Sequence, residues 1–423
     1  MCDASVNKKP PLELADIFSA EGERYQAVHG ISREQRKAMR AIVNCRTSVL
    51  GGHVYQCHHC GQQEISYNSC RYRACPKCQT MKQLTWLENR QEELLPVHYY
   101  HVVFTIPHEL NVLASYNPSL IYNLLFRSAW STINNLGHDP ARLNGQMGML
   151  ALLHTWGQTL SQHIHTHCLI PGGAIVDGEQ GKTWHASSGK YLFPTRVMSA
   201  MFGPMFIDGL KKAYENGELV FGGACKVYKD AKKFFAFTRL LYKKSWNVYA
   251  KAPFNGAQGG LAYLARYVSK IAISNHRLVS FEDGKVTFKW RDYADGNKEK
   301  LMTLDAHEFI RRYLSHVLPS GFMRIRYFGF LASACKEKNI ALIRSLVRPV
   351  LPMDEAPLPQ KTVDNSLDEA QAINVSDQST QALIHRLTGI DVSLCKHCQI
   401  GRLEKVQTLL SKKAYAAQYL NSS

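Results

Sequence analysis

Residues 148–173, GMLALLHTWGQTLSQHIHTHCLIPGG, carry the reading on which the fold turns. Two apolar runs flank a short polar stretch, Gly157 to Ser161, the pattern of two strands joined by a turn. Alternate residues of a strand project to one face, so His163, His165 and His167 form a row of imidazoles on one side of a sheet. Residues two apart are separated by roughly 6.6–6.8 Å, which puts His163 and His167 about 13 Å apart at Cα. One ion with nitrogen bonds near 2.0–2.1 Å cannot bridge that span. Two neighbours can chelate it, and a third ligand must come from the adjacent strand. If the turn is centred between Thr159 and Leu160, His154 lies directly opposite His165. The candidate ligands are therefore His165 and His167 with His154, and His163 competes for the third place.

About a hundred residues later comes LAYLARYVSKIAISNHRL (261–278). At about 100° per residue, Leu261, Leu264, Val268 and Ile271 cluster in one apolar sector, with Arg266 and Lys270 opposite. Tyr263 and Tyr267 fall between the sectors, one turn apart on the same side. Their rings can lean on a core while their hydroxyls reach a polar site. A phenol with a free pKa near 10 is a weak nucleophile, and a metal-polarised phosphate would make its attack feasible.

The chain carries 51 Lys+Arg against 34 Asp+Glu, a net charge of +17. That excess favours a polyanionic partner, held through phosphate neutralisation and counterion release. No apolar run approaches the ~18–20 residues that span a bilayer, and MCDASVNKKPPLEL lacks the apolar core of a signal peptide. The expected location is the cytosol, with no membrane partner. Thiols stay reduced there, so twelve cysteines gathered mostly in clusters favour metal over disulfides.

The densest cluster is CHHCGQQEISYNSCRYRACPKC (57–78). Cys57 and Cys60 form one CxxC knuckle and Cys75 and Cys78 a second, a spacing that matches a four-thiolate structural Zn(II) site. Cys70 and His53 are surplus ligands. Arg71, Arg73 and Lys77 decorate the module among tyrosines, a mixture suited to phosphate contact and base stacking; the bland alternative is a knuckle that braces its neighbour. A further CxxC, Cys395 to Cys398, is half a site with no obvious partner.

Four segments are expected along the chain. Residues 1–95 hold a basic helix, with Ser32 and Gln35 fitting a capping box, and the zinc-binding module. Residues 96–345 hold the catalytic domain: a β-rich HYYHVVFTI, a helix with Asn117 as its cap and Pro118 in its first turn that ends before Gly137, the histidine strands, further strands in the lysine-rich middle, the tyrosine helix and a strand in KVTFKW. Residues 346–390 form an acidic, proline-containing linker, with six acids against one lysine between Val350 and Leu383. Residues 391–423 form a small CxxC module.

Taken together, GGHVYQCHHCG, YNSCRYRACPKCQ, HVVFTIPHEL, the histidine segment, NVYAKAPFNG, YLARYVSKIAISNHRL and FIRRYLSHVLPSGFMRIRYFGFLA resemble the rolling-circle insertion-sequence transposases of the IS-ninety-one group. The family's histidine–hydrophobic–histidine motif falls on His165-Thr166-His167, with threonine where a bulkier apolar residue is usual, and Ala74 stands where members commonly have histidine. CKHCQIGRL looks like the family's terminal zinc-like knuckle. The resemblance implies an α+β fold: an antiparallel, ferredoxin-like HUH nuclease core, with metal ligands on a central strand and the tyrosine helix alongside. It implies metal-assisted transesterification on single-stranded DNA at the ends of its own mobile element, in the bacterial cytoplasm and nucleoid-associated on DNA. Tyr263 or Tyr267 forms a 5′-phosphotyrosine link and Mg(II) or Mn(II) serves as the catalytic ion. Two rival readings are a histidine-metal phosphodiesterase that uses water and a non-catalytic zinc-finger DNA-binding protein.

Overall fold

The computed structural model of the chain describes residues 11–78, 86, 90, 92–251, 254, 271–347, 385, 389 and 391–415. In chain order these include α1 (Leu14–Val28), α2 (Arg33–Val43), β1 (Gly52–Cys57), β2 (Gln63–Tyr67), β3 (Tyr99–Thr105), α3 (Asn111–Tyr116) and α4 (Pro118–His138). Next come β4 (Gly148–Trp156), β5 (Gln162–Pro171), β6 (Gly173–Gly178), β7 (Gly181–Ala186), α5 (Thr195–Glu215), α6 (Ala231–Tyr242) and β8 (Val248–Ala250). The rest are β9 (Leu278–Glu282), β10 (Lys285–Asp292), β11 (Lys298–Asp305), α7 (Ala306–Leu314), β12 (Ile325–Gly329), α8 (Lys336–Leu346) and β13 (Leu403–Leu409). The mixture of helices and antiparallel sheets is an α+β fold. No helix among the described residues is long and apolar enough to cross a membrane.

Contacts group the chain differently from the four successive segments expected. The described residues of 1–45 and 70–348 form one unit, and those of 46–69 and 349–423 form another. The segment expected to be one zinc module is thus divided between them.

In the first unit, five strands form a sheet in the order β12-β4-β5-β3-β8, every pair antiparallel. Alternation sorts its side chains cleanly. Tyr100, Val102 and Phe104 of β3, Met149, Ala151 and Leu153 of β4, and Ile164, Cys168 and Ile170 of β5 join one buried cluster. Helices α4 and α5 supply its other half, including Phe126, Phe202 and Phe206. Each such fully buried ring stabilises the fold by roughly 1.5–3 kcal/mol, enough to hold the sheet rigid beneath whatever its far face carries. On that far face Tyr99, Leu150, Leu152 and Leu169 pack with Phe330 and with Ile340 and Ile343 of α8. Gly329 ends β12 at φ +59°, where an added Cβ would strike the Met147 carbonyl, so only glycine fits there.

A second core in this unit joins Leu14, Ile17 and Phe18 of α1 and Met39 and Ile42 of α2 to Val286 and Phe288 of β10 and Phe309, Ile310 and Tyr313 of α7. The capping box at Ser32 and Gln35 is present. Two local expectations differ. Asn117 precedes α4 but caps nothing; its amide instead bonds both backbone groups of Val220 at 2.7 and 2.8 Å, and the helix runs through Gly137 to His138. The lysine-rich middle, where strands were expected, is mostly the helix α6, started by an Asp230 side-chain cap. Phe234, Phe237, Thr238 and Leu241 are its buried stripe, spaced as an amphipathic helix requires.

The second unit is small. Its sheet, β13-β1-β2, is antiparallel with β1 in the middle. Every residue of β2 is exposed, and among the described residues its buried apolar side chains are Val54, Cys57 and Cys395. Such a unit has little hydrophobic core with which to offset chain entropy.

Candidate metal centres and the histidine face

The hairpin of β4 and β5 has the expected register. His154 pairs with His165 and Leu152 with His167, with an irregularity only beyond His154. Leu160, at φ +60°, turns the chain. Because β5 is the central strand, its odd-numbered residues present His165 and His167 on the face opposite α4 and α5. His154 joins them from β4. All three are buried, and one ring nitrogen of each lies within 4.8 Å of the others. A shared ion with bonds near 2.1 Å needs nitrogens about 3.0–3.4 Å apart, a closure within reach of small ring rotations, so the residues fit a divalent ion.

Their surroundings fix the rings. His165 Nδ1 donates to the His163 carbonyl at 2.8 Å, which leaves Nε2 as the ligating atom. His167 Nδ1 lies 2.8 Å from Nε2 of His101 in β3, and the two rings stack 14° from parallel. Trp156 covers His154 in the same way at 4.6 Å. Burial pushes His165 down to about 3 and His101 down to about 4, so both imidazoles are neutral, the form a metal needs. His163 is exposed and stands outside the three-histidine group; its carbonyl accepts from His165 and its ring lies 4.8 Å from the His165 ring. His101 was not anticipated, although its alternation with Tyr99 in HYYHVVFTI was a readable signal.

The cysteines divide otherwise than expected. Cys57, Cys60, Cys75 and Cys78 do not come together: Cys75 and Cys78 gather with Cys70 and Cys45, and Cys57 and Cys60 with Cys395 and Cys398. Sequence spacing marks each knuckle but cannot say which two knuckles share a site. In the first quartet Cys78 Sγ lies 3.6 Å from Cys45 Sγ and 3.7 Å from Cys70 Sγ. Sulfurs bound tetrahedrally at about 2.3 Å would stand about 3.8 Å apart. Backbone N–H groups of Cys70 and Tyr72 point at the sulfurs of Cys45 and Cys70 at 3.4 and 3.5 Å, which favours thiolate. Hydrogen bonds from the Cys70 and Cys75 thiols bring Cys45 down to about 7. This donor set fits a structural Zn(II) ion. His53 belongs to neither quartet.

The first quartet is built into the second core rather than hung from it. Arg73 donates to the carbonyls of Phe322 and Leu318, both at 2.8 Å, and to that of Pro319. Lys77 pairs with Glu13, the residue before α1, at 2.5 Å, and Tyr313 donates its hydroxyl to the Ala74 carbonyl. Arg73 and Lys77, expected on DNA, make these contacts within the fold and so also tie the knuckle to its neighbours. Arg71 is exposed. Tyr263, Tyr267, Arg266 and Lys270 lie outside the described residues.

A family model described as "Putative transposase" matches residues 148–339, and one described as "Transposase zinc-binding domain" matches residues 17–106. A Sinorhizobium fredii protein described as "Putative transposase y4qJ" is 40% identical over 396 residues, 93% of this chain and 95% of its own. The "Transposase for insertion sequence element IS801" of Pseudomonas savastanoi pv. phaseolicola is 27% identical over 310 residues, 72% of each chain. No solved structure matches.

Proposed function

Since the chain belongs to the insertion-sequence transposases of the IS-ninety-one group, we propose that it cleaves and rejoins single-stranded DNA from the ends of its element by tyrosine transesterification. The observation that carries this reading is the buried face of His154, His165 and His167 on neighbouring strands of one antiparallel sheet. The central position of β5 and the helices packed on the opposite face support reading that sheet as a HUH core.

His154, His165 and His167 would hold Mg(II) or Mn(II), and the ion when bound supplies Lewis acidity to the scissile phosphate. Imidazoles bind later transition metals more tightly, so Mg(II) or Mn(II) would be chosen by availability. Tyr263 or Tyr267 attacks phosphorus through its hydroxyl oxygen and loses its proton. The new bond is a 5′-phosphotyrosine ester, and the bond broken is the one to the 3′ oxygen, which leaves as a 3′-OH. Attack by a 3′-OH reverses the step and joins strands, so the bond energy is conserved and neither ATP nor water is consumed. The quartet of Cys45, Cys70, Cys75 and Cys78 would hold structural Zn(II) beneath α1, α2 and α7.

The test is incubation of the purified protein with a single-stranded oligonucleotide from an element end and Mg(II) or Mn(II), followed by denaturing electrophoresis and peptide mapping. A covalent adduct on Tyr263 or Tyr267 is expected, absent from the double Tyr→Phe variant. Cleavage without any adduct would establish a water-using phosphodiesterase instead, and binding without cleavage a DNA-binding protein alone.

A further inference from the structure

The second cysteine quartet belongs to neither the histidine face nor the zinc knuckle beneath α1. Its sulfurs meet across great sequence distance: Cys57 Sγ and Cys398 Sγ are 3.7 Å apart at a sequence separation of 341, and Cys60 Sγ and Cys395 Sγ are 3.8 Å apart at a separation of 335. Disulfides require about 2.05 Å. The edges of a tetrahedral zinc thiolate measure about 3.8 Å, from bonds near 2.3 Å. The spacing is that of a metal site.

The two knuckles have the same local design. CHHCG and CKHCQ both read C-x-H-C followed by a residue in the left-handed region, Gly61 at φ +74° and Gln399 at φ +57°. In each, the N–H of that residue returns to the first cysteine's carbonyl, at 3.0 Å for Gly61 to Cys57 and 2.9 Å for Gln399 to Cys395. The knuckles also lock together directly. His58 N–H donates to the Arg402 carbonyl at 3.2 Å, and Arg402 N–H donates to His58 Nδ1 at 3.0 Å. Gly401 N–H points at Cys398 Sγ at 3.3 Å, and a Cβ on Gly401 would come within 2.5 Å of Cys57 Sγ. Only glycine lets the backbone approach the sulfurs so closely.

We propose that Cys57, Cys60, Cys395 and Cys398 hold one Zn(II) ion of their own, so that β1, β2 and β13 form a ribbon closed by metal across more than three hundred residues. The ribbon has almost no apolar core, with β2 fully exposed, so metal binding supplies what packing does not. It also orders assembly. The ribbon's first knuckle cannot complete its coordination until residues 395–398 have been made and brought back, whereas Cys45, Cys70, Cys75 and Cys78 are all present early in the chain. This inference does not depend on the catalytic reading.

The experiment counts zinc in the whole protein carrying His165→Ala and His167→Ala, which removes the histidine face as a binding site. Two zinc ions per chain are expected. The pair Cys57→Ser/Cys60→Ser, the pair Cys395→Ser/Cys398→Ser and the quadruple variant should each retain one, because all remove the same ion. Cys45→Ser/Cys75→Ser should remove the other. Where a variant fails to fold, reconstitution of the Gly401→Ala and parent proteins with Co(II) decides: the sulfur-to-cobalt absorption should fall by about half in Gly401→Ala. A single zinc in the parent, or two retained in Cys395→Ser/Cys398→Ser, overturns the proposal.

Discussion

His101 Nε2 and His167 Nδ1 face each other at 2.8 Å across β3 and β5, their rings nearly parallel. Burial keeps His101 neutral, with its pKa near 4, so its Nε2 can accept the proton on His167 Nδ1. In that direction the contact favours the tautomer in which His167 presents Nε2 to an ion. Partners of this kind typically contribute 10–100-fold to metal affinity. His101→Leu should raise the Mn(II) concentration needed for half-maximal cleavage by about that factor, while His101→Gln, which can still accept, should fall between. An unchanged metal titration in His101→Leu would show that the contact orients nothing.

The choice between His154 and His163 can be decided in the same assay. His154 is buried with His165 and His167, whereas His163 is exposed. His154→Ala, His165→Ala and His167→Ala should each abolish cleavage. Affinity for DNA should stay within a few-fold, because phosphate-neutralising lysines and arginines supply most of it. His163→Ala should keep most activity, since its carbonyl remains to hold His165. Full activity in His154→Ala would remove it from the site.

Arg73, expected on DNA, also has partners within the fold. Its guanidinium holds three carbonyls of the loop between α7 and β12. Hydrogen bonds to a charged group contribute roughly 1.5–3 kcal/mol each and are not additive, so Arg73→Ala should destabilise the first unit by about 2–4 kcal/mol. Arg73→Lys should recover little, lacking the planar fork. Thermal unfolding would measure this. If the variant melts normally but loses DNA affinity with a reduced salt slope, Arg73 is a phosphate contact after all.

How much was readable follows from how local each interaction is. The histidine hairpin is a neighbour-to-neighbour pairing, so the turn at Thr159 and Leu160 already implied that His154 opposes His165. The helix α6 was equally local, its Phe234, Phe237 and Leu241 stripe flanked by Lys232, Lys233, Lys243 and Lys244. The cysteine partition was not local. Cys45 carries no CxxC signal, and nothing near Cys57 reveals that its partner sulfurs come from Cys395 and Cys398. Knuckles are written in spacing, whereas their pairing is decided by β13 returning to β1.

His316 gives a pH test independent of metal ligation. It is buried, with Nε2 donating to the Leu160 carbonyl at 3.0 Å and Nδ1 accepting from the Thr155 hydroxyl at 3.2 Å. The bond from Thr155 requires an unprotonated Nδ1, whereas the bond to Leu160 is kept, and favoured, in the charged ring. Burial pushes its pKa from 6.5 down to about 4. Between those values the unfolded chain binds a proton that the folded chain does not, so stability must rise with pH across that window and fall as acid is added. The full shift corresponds to about 3 kcal/mol, taking 1.36 kcal/mol per unit. His101 and His165 are depressed for the same reason and act in the same direction, so the informative quantity is a difference. Wild type and His316→Gln should be unfolded in denaturant at pH 7 and pH 4.5. His316→Gln should be the less stable at pH 7, since it loses a fitted ring, but its further loss on acidification should be smaller by about 2–3 kcal/mol. Parallel losses in the two proteins would mean that His316 is protonated inside the fold, and that burial and the bond from Thr155 do not hold it neutral.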